Sequence, residues 1–221
     1  MVPDSHTPLV GPYVLPPLPY DYAALEPTVD EATMRLHHDK HHQAYIDALN
    51  KALATHPEWL GKSIEAVLAD LDKVPEDIRQ AVRNQGGGHA NHQLFWKLMT
   101  PNAPAAPSGE LAAAIDRDFG SLDAFKTQFI EAGTKQFGSG WVFLVADPMN
   151  GFKLRIVTTP NQDSVITLGL PALLACDIWE HAYYLRYNNR RADWLKSWWD
   201  VVNWIYVEER LQGIHAGQTP F

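Results

Sequence analysis

Apolar and polar residues in the first half of the chain repeat with a helical period. One stripe recurs every three or four positions and predicts a helix from about Glu31 to Thr55, with Asp30 as its N-cap. The stripe comprises Met34, His37, His41, Tyr45 and Leu49. Helical periodicity also covers about residues 63–71, and a longer helix begins near Pro75 and runs on through a glycine triplet. A proline-rich leader precedes these helices and is expected to pack along the domain.

The pattern changes in the second half of the chain, where runs with strand character appear between helices. Residues 101–109 are rich in proline and small side chains, which indicates a linker between a unit at 1–100 and a unit at 110–221. We expect strands at 141–146, 153–159 and 172–176, and helices at 109–119, 122–137 and 194–212. The predicted fold is α+β, with an N-terminal helical hairpin domain and a C-terminal domain that has a small three-stranded antiparallel sheet and flanking helices.

Composition and net charge argue against several classes of protein. The 221 residues are 46% hydrophobic and include eight Trp, eight Tyr and eight Phe, which is too apolar and aromatic for a disordered chain. The formal net charge of −8 argues against binding to nucleic acid or to an acidic membrane surface. An anionic substrate would therefore need a local positive patch.

The compartment is expected to be the cytoplasm. The single cysteine, Cys176, cannot form an internal disulfide. The first eleven residues lack the basic and apolar regions of a signal peptide, and no apolar run reaches the length of a membrane-spanning helix.

Histidines and acids cluster at three places in the sequence. HHDKHH occupies 37–42, HANH occupies 89–92 and DIWEH occupies 177–181, and imidazole with carboxylate suits divalent transition metals. Asp177 and His181 are four residues apart, so one helical turn could aim both at one point. The HHDKHH run alone also fits a solvated helix face. The motifs HExxH, CxxC and ExxH are absent, which leaves a mononuclear site built from separated histidines and one aspartate.

The glycine triplet at 86–88 is costly inside a helix, by about 1 kcal/mol for each glycine relative to alanine. Its position beside two histidines predicts that the helix backbone closely approaches some other group, whose identity the sequence leaves open.

Five sequence blocks, in order, cover nearly the whole chain from about residue 13 and resemble the iron/manganese superoxide dismutase family, with a manganese-type, bacterial-like pattern. They are LPPLPYDYAALEPTVDEATMRLHHDKHHQAY, GGGHANHQLFW, FGSGWVFLV, PNQDS and DIWEHAYYLRYNNRRADW. Residues 1–11 match none of the family's blocks. The resemblance implies an oxidoreductase that converts two superoxide anions and two protons to dioxygen and hydrogen peroxide.

The same resemblance implies the metal ligands and the metal. The ligands would be His37, His92, Asp177 and His181, holding one manganese ion per subunit that cycles between +3 and +2. Gly88 together with Gln162 follows the manganese pattern, since many iron-type members carry glutamine in the place of that glycine. Iron, or activity with either metal, stays open because the general affinity order favours iron over manganese, so binding strength alone cannot select manganese.

Further roles follow from the resemblance. Gln162 and Tyr45 would bond the metal's solvent ligand, with His41 and Tyr184 completing a gateway and proton-relay network. Lys40 and Arg191 would steer superoxide. The pocket would be walled by Trp96, Trp141 and Trp179, whereas His38, His42 and His89 are interpreted as structural rather than ligating.

Glu180 would reach the ligand histidine of a second subunit, which implies a homodimer and is compatible with a tetramer. Two other readings of the same residues stay open at this stage. One is a non-catalytic metal-binding protein of the same fold, and the other is a zinc hydrolase, which would need a general base beside the metal.

Overall fold

A computed structural model describes residues 12–218. The extension at 1–11 that matched no family block therefore lies outside the described residues. The described part confirms an α+β fold with a helical hairpin followed by a three-stranded antiparallel sheet and its helices. No helix in this range is long and apolar enough to cross a bilayer.

The first arm of the hairpin is a continuous helix with a widened turn in its middle. It consists of α1 (Glu31–Leu36), a π-helical segment at His37–His42, and α2 (Gln43–Leu53). Asp30 caps the start, as predicted, because its side chain accepts a hydrogen bond from the Thr33 backbone N–H at 2.8 Å. The π segment is absent from the sequence prediction; it is the stretch that carries the four histidines.

The second arm has the same construction. It runs through α4 (Glu76–Ala81), a π-helical segment at Val82–Gly86, and α5 (Gly87–Lys97). Short π segments of this kind are frequent at functional sites, and each one turns the residues that follow it to a new face of the helix. The short helix α3 (Ile64–Ala69) lies in the stretch of sequence that connects the two arms.

A small apolar core joins the two arms. Its members come from both arms, from α3 and from the turns that flank α3, together with one residue from the second half of the chain. They are Leu49, Leu53, Trp59, Ile64, Val67, Leu68, Val74, Ile78, Val82, Ala90 and Ile166.

The second half begins with two amphipathic helices and then forms the sheet. Helices α6 (Gly109–Phe119) and α7 (Leu122–Lys135) precede strands β1 (Gly140–Asp147), β2 (Lys153–Pro160) and β3 (Ala172–Asp177). The strand order is β2-β1-β3, and both pairings are antiparallel. Every residue of the central strand β1 is buried, which explains its continuous apolar run.

The end of the chain differs from the single helix that the pattern from 194 to 212 predicts. It forms α8 (Tyr184–Tyr187), α9 (Arg191–Ser197) and α10 (Trp204–His215). The chain is interrupted after α9 because Val202 makes a β-bridge with Met99, which takes its backbone out of the helix.

The two halves share one large core and several backbone contacts. Met34, Phe95 and Trp96 of the hairpin pack in the same cluster as the sheet residues Trp141 and Phe143. The leader packs along the domain, as predicted, and its contacts reach both halves. The Tyr20 hydroxyl donates to the Trp96 carbonyl, and the Thr28 carbonyl accepts from the Tyr187 hydroxyl. Hairpin and sheet are thereby held in one fixed arrangement, with a site between them.

Candidate metal centre

Four side chains from both halves of the chain meet in the interior. One ligand atom each from His37, His92, Asp177 and His181 lies within 4.8 Å of the other three. The first three residues are fully buried, and His181 is partly buried. The four residues of the sequence prediction are thus brought together in space.

The spacing of these atoms suits a single metal ion. The Nε2 atoms of His37 and His92 are 2.9 Å apart, and the Asp177 Oδ2 atom lies 3.0, 3.5 and 3.2 Å from the Nε2 atoms of His37, His92 and His181. Ligand bonds of about 2.1 Å that leave an ion at about 90–120° to one another place neighbouring donor atoms about 3.0–3.6 Å apart. The observed separations fall at or close to that range.

Contacts to the outer atoms of the ligands orient them toward the centre. The Nδ1–H of His92 donates to the Gly88 carbonyl at 2.6 Å, which leaves the lone pair of Nε2 directed at the cluster. The Asp177 Oδ1 atom accepts from the Trp179 backbone N–H at 2.8 Å, so that Oδ2 is the oxygen left for the centre.

The electrostatics of the cluster also favour a bound cation. Burial alone would raise the pKa of the Asp177 carboxyl, but His181 and the hydrogen bonds from the surrounding histidines hold that pKa well below its usual value. Burial lowers the pKa of His37 well below its usual value, so this imidazole is neutral. A buried carboxylate among three imidazoles is stabilised by a cation that all four donor atoms can reach, and the residues therefore fit a metal.

The turn between Asp177 and His181 corrects one prediction. The two residues do not share a helical turn: Asp177 ends β3, and His181 lies in a 3₁₀ turn at Glu180–Ala182. The strand delivers the carboxylate and the tight turn brings the imidazole back to it. Asp177 and His181, four residues apart, therefore meet through a strand end and a tight turn and not through helical geometry.

Gln162 and Tyr45 form a hydrogen-bonded pair beside the cluster. The Gln162 Nε2 atom donates to the Tyr45 hydroxyl at 2.9 Å, and the Gln162 Oε1 atom accepts from the Trp141 indole at 2.9 Å. The Trp141 bond fixes which end of the amide faces Tyr45. The Tyr45 ring lies 5.2 Å from the His92 ring, and burial together with the Asp177 charge raises the pKa of Tyr45, which keeps the phenol protonated.

The glycine triplet makes the close approach that its sequence predicts. A Cβ atom at Gly88 would lie 2.7 Å from the Tyr45 ring, and a Cβ at Gly87 would overlap the carbonyl oxygen of Gln162. The same carbonyl accepts from Asn91 Nδ2 at 3.2 Å. Asn91 was missed by the sequence reasoning, although its position next to a ligand histidine was a signal available there.

Aromatic rings enclose the ligands. Trp96 lies 4.9 Å from the His37 ring, Trp141 lies 5.1 Å from the His92 ring, and Trp179 stacks on His181 at 5.5 Å. Trp96 and Trp141 are buried, so the wall around the cluster is dry on that side.

The remaining residues of the sequence prediction fall into two groups. The His41 ring stacks on His181 at 4.2 Å and therefore borders the cluster. Lys40 and Glu180 are exposed. Within residues 12–218, the Tyr184 hydroxyl makes no hydrogen bond, and the Tyr184 side chain is 47% exposed.

The Arg191 guanidinium has a structural role in addition to supplying a positive charge. Its guanidinium donates to the carbonyl oxygens of Gly133, Gln136 and Gly138 and to the Tyr183 hydroxyl. These bonds tie α9 to the loop after α7.

His42 and His89 form a buried hydrogen-bonded pair outside the cluster. The Trp96 indole donates to His42 Nδ1 at 3.0 Å, and His42 Nε2 lies 2.8 Å from His89 Nδ1. Burial lowers the pKa of His89 to about 4, which leaves this residue neutral. Neither residue belongs to the metal-ligand group.

A buried site of three histidines and one aspartate between a helical hairpin and a small antiparallel sheet defines a class of mononuclear metal-dependent oxidoreductases. Two family models match this chain: the alpha-hairpin domain of iron/manganese superoxide dismutases over residues 12–100, and the C-terminal domain of the same family over residues 107–210. This chain belongs to the iron/manganese superoxide dismutase family.

Curated relatives agree with the family models. The chain is 52% identical over 209 residues to "Superoxide dismutase [Mn] 3" of Leptolyngbya boryana, covering 95% of this chain and 87% of the relative. It is 52% identical over 199 residues to "Superoxide dismutase [Mn]" of Listeria monocytogenes, covering 90% of this chain and 97% of the relative.

The packing of Gly87 against Gln162 predicts the effect of one added methyl group. Gly87→Ala should lower the free energy of unfolding by about 1–3 kcal/mol, because the Gln162 carbonyl cannot share its space with a Cβ. Gly213→Ala is the matched control, since it also lies within a helix but its Cβ would meet only the flexible end of Gln218. Urea unfolding of both variants measures the difference. A Gly87→Ala protein as stable as the control would contradict the packing.

Proposed function

We propose that this chain is a manganese-dependent superoxide dismutase. The observation that carries the proposal is the convergence of His37, His92, Asp177 and His181 on one point, with the Gln162–Tyr45 pair beside it. Family membership and the names of the relatives support the same activity. A bound manganese ion supplies the one-electron chemistry, alternating between +3 and +2 while two superoxide anions and two protons become dioxygen and hydrogen peroxide.

Residues of this chain provide the metal ligands, the fixed polar groups beside them and the wall that excludes water. The three imidazoles and the Asp177 carboxylate would bind the ion, and the carboxylate would offset one of the three positive charges of its +3 state. Gln162 is held by Trp141 and by the contacts of its carbonyl, so its amide keeps a fixed position toward Tyr45. Tyr45 holds a proton on its hydroxyl at neutral pH because its pKa is raised. The wall formed by Trp96 and Trp141 excludes water from the buried side of the site.

Manganese is the metal we propose for the site. The Tyr45 ring lies so close to Gly88 that no side chain fits there without moving it. The amide beside the ligands must therefore come from Gln162, which is the arrangement that the manganese-type resemblance implies. Both relatives described above carry manganese in their names.

A zinc hydrolase would need a general base beside the ion. Of the polar groups that border the ligands, the Gln162 amide is neutral and the Tyr45 phenol is protonated, so neither can act as that base, and the His41 ring is stacked on His181. The only acid next to a ligand in sequence, Glu180, is exposed. These features favour redox chemistry over hydrolysis.

Access for superoxide would use the positive charges of Lys40 and Arg191. Lys40 is exposed on the π segment that starts at His37, and the Arg191 guanidinium lies near the turn that bears His181. Opposite charge near the opening raises the local concentration of a small anion around a protein of net charge −8.

We also infer a homodimer that forms through the surface around Glu180. Phe137 is 97% exposed, Tyr184 is 47% exposed and Leu185 is 58% exposed. Arg191 bonds the carbonyls on both sides of Phe137 and the Tyr183 hydroxyl, which brings the loop of Phe137 next to the segment that carries Tyr184 and Leu185. Exposed apolar groups gathered beside a charged residue are typical of an interface between subunits.

We also propose boundaries for the two structural units of the chain and a cellular compartment for the protein. A division into a hairpin unit at 1–100, a linker at 101–109 and a sheet-containing unit at 110–221 is supported by the proline-rich segment between α5 and α6. A cytoplasmic location is supported by the free, buried thiol of Cys176.

The ligand assignment predicts the outcome of Asp177→Ala. The variant should weaken manganese binding by more than about 100-fold and reduce superoxide decay to background, because loss of a ligand exceeds the 10- to 100-fold cost of losing a ligand's hydrogen-bond partner. Metal content and superoxide decay are measured on the same preparations. Asp116→Ala, an exposed helix position, is the control. Retention of metal and activity by Asp177→Ala would show that the ion lies elsewhere.

The role of Gln162 predicts a change in redox potential. Gln162→Ala should keep the fold and the manganese but shift the midpoint potential of the metal by more than about 60 mV, which corresponds to a tenfold change in a one-electron equilibrium. Redox titration with mediators measures the potential. Gln93→Ala serves as the control, since Gln93 is adjacent in sequence to a ligand but faces away from Tyr45. An unchanged potential in Gln162→Ala would exclude the proposed tuning.

The proposed interface predicts a change in association. Glu180→Ala should raise the dimer dissociation constant at least tenfold, whereas Glu209→Ala on the exposed face of α10 should leave it unchanged. Analytical ultracentrifugation over a range of concentrations measures both. A monomeric wild-type protein, or equal constants for the two variants, would contradict the interface.

A further inference from the structure

Four tryptophans lie between positions 194 and 204, and one of them differs from the others. The indole nitrogens of Trp198, Trp199 and Trp204 are buried and have no hydrogen-bond partner among the described residues. The Trp194 indole, which is equally buried, donates to the backbone carbonyl oxygen of Asp177 at 2.8 Å. The Cys176 thiol is the other group near that oxygen, but at 3.9 Å its contact is weak.

The position of this bond is significant because the Asp177 carbonyl belongs to the peptide group that leaves the strand toward His181. The N–H of the same peptide group, on Ile178, donates to the Gly140 carbonyl at 3.0 Å. The peptide plane is thus fixed at both ends, by Trp194 and by Gly140. Its orientation sets the direction of the Asp177 side chain on one side and the path of the turn to His181 on the other.

Helix α9 provides a rigid support for the indole. Arg191, three residues before Trp194, binds the carbonyls of Gly133, Gln136 and Gly138. The Trp194 ring also packs against the rings of Tyr183 and Tyr187. The donor is therefore held in one place and cannot follow a shift of the strand end.

We propose that Trp194 is a positioning residue for the metal centre, whose indole N–H fixes the backbone between Asp177 and His181 and so sets the relative placement of these two ligands. The inference rests on the proposed function, since it requires a metal bound by both residues. It goes beyond that function by assigning to a core tryptophan an effect on metal affinity and on the electronic structure of the bound ion.

The test compares Trp194→Phe with Trp198→Phe in the manganese-loaded protein. Both substitutions remove an indole from the same buried cluster, but only the first removes a hydrogen bond. Chelator competition should show that Trp194→Phe binds manganese about tenfold more weakly than wild type, with a shifted visible absorption of the oxidised ion. Trp198→Phe should stay within about twofold of wild type and keep the wild-type spectrum. Neither readout uses superoxide, so the inference is tested apart from activity.

Circular dichroism establishes that each variant is folded before its affinity is compared. If Trp194→Phe does not fold, benzothienylalanine at position 194 replaces it, since this analogue keeps the shape of the indole and lacks the N–H. Equal affinities and spectra for the position-194 and position-198 variants would overturn the inference. A folded wild-type protein that bound no manganese would overturn the proposed function and the inference together.

Discussion

The negative charge of Asp177 lies in the interior with none of its surface exposed, and much of the structure is explained by the need to compensate it. An isolated buried carboxylate costs several kcal/mol unless partners surround it. The partners here are imidazoles from two helices and a turn, and the Trp179 backbone N–H. A metal ion completes this compensation, and the hairpin and the sheet must stay docked for it to bind. Metal binding should accordingly stabilise the contact between the two halves.

A second constraint is the tight packing between the helix of His92 and the loop of Gln162. Gly87 and Asn91 contact the Gln162 carbonyl, while Trp141 holds its side-chain oxygen. Gly88 leaves room for the Tyr45 ring, which the Gln162 amide then reaches. The glutamine is thus restrained at its backbone and at its amide. A group that tunes a redox potential needs this rigidity, because the tuning depends on a fixed hydrogen bond.

Sequence patterns predicted the helical hairpin, the three strands and the four residues that converge, since these features follow from periodicity, from clusters of histidine and from the resemblance to a family. The π segments at 37–42 and 82–86 were not predictable, because no propensity distinguishes them from ordinary helix. The break before α10 depends on a bridge between residues far apart in sequence, Met99 and Val202. The role of Trp194 was not predictable either. A tryptophan in an apolar stretch of sequence indicates burial, but it does not indicate the hydrogen-bond partner of the indole.

The function proposed for this site is superoxide dismutation with manganese. The most direct test strips the metal with a chelator, reloads separate samples with manganese and with iron to equal occupancy, and measures superoxide decay by each. We expect rapid decay with manganese and slow decay with iron. Decay with neither metal at full occupancy would contradict the function, and faster decay with iron would contradict the metal assignment drawn from Gly88 and Gln162.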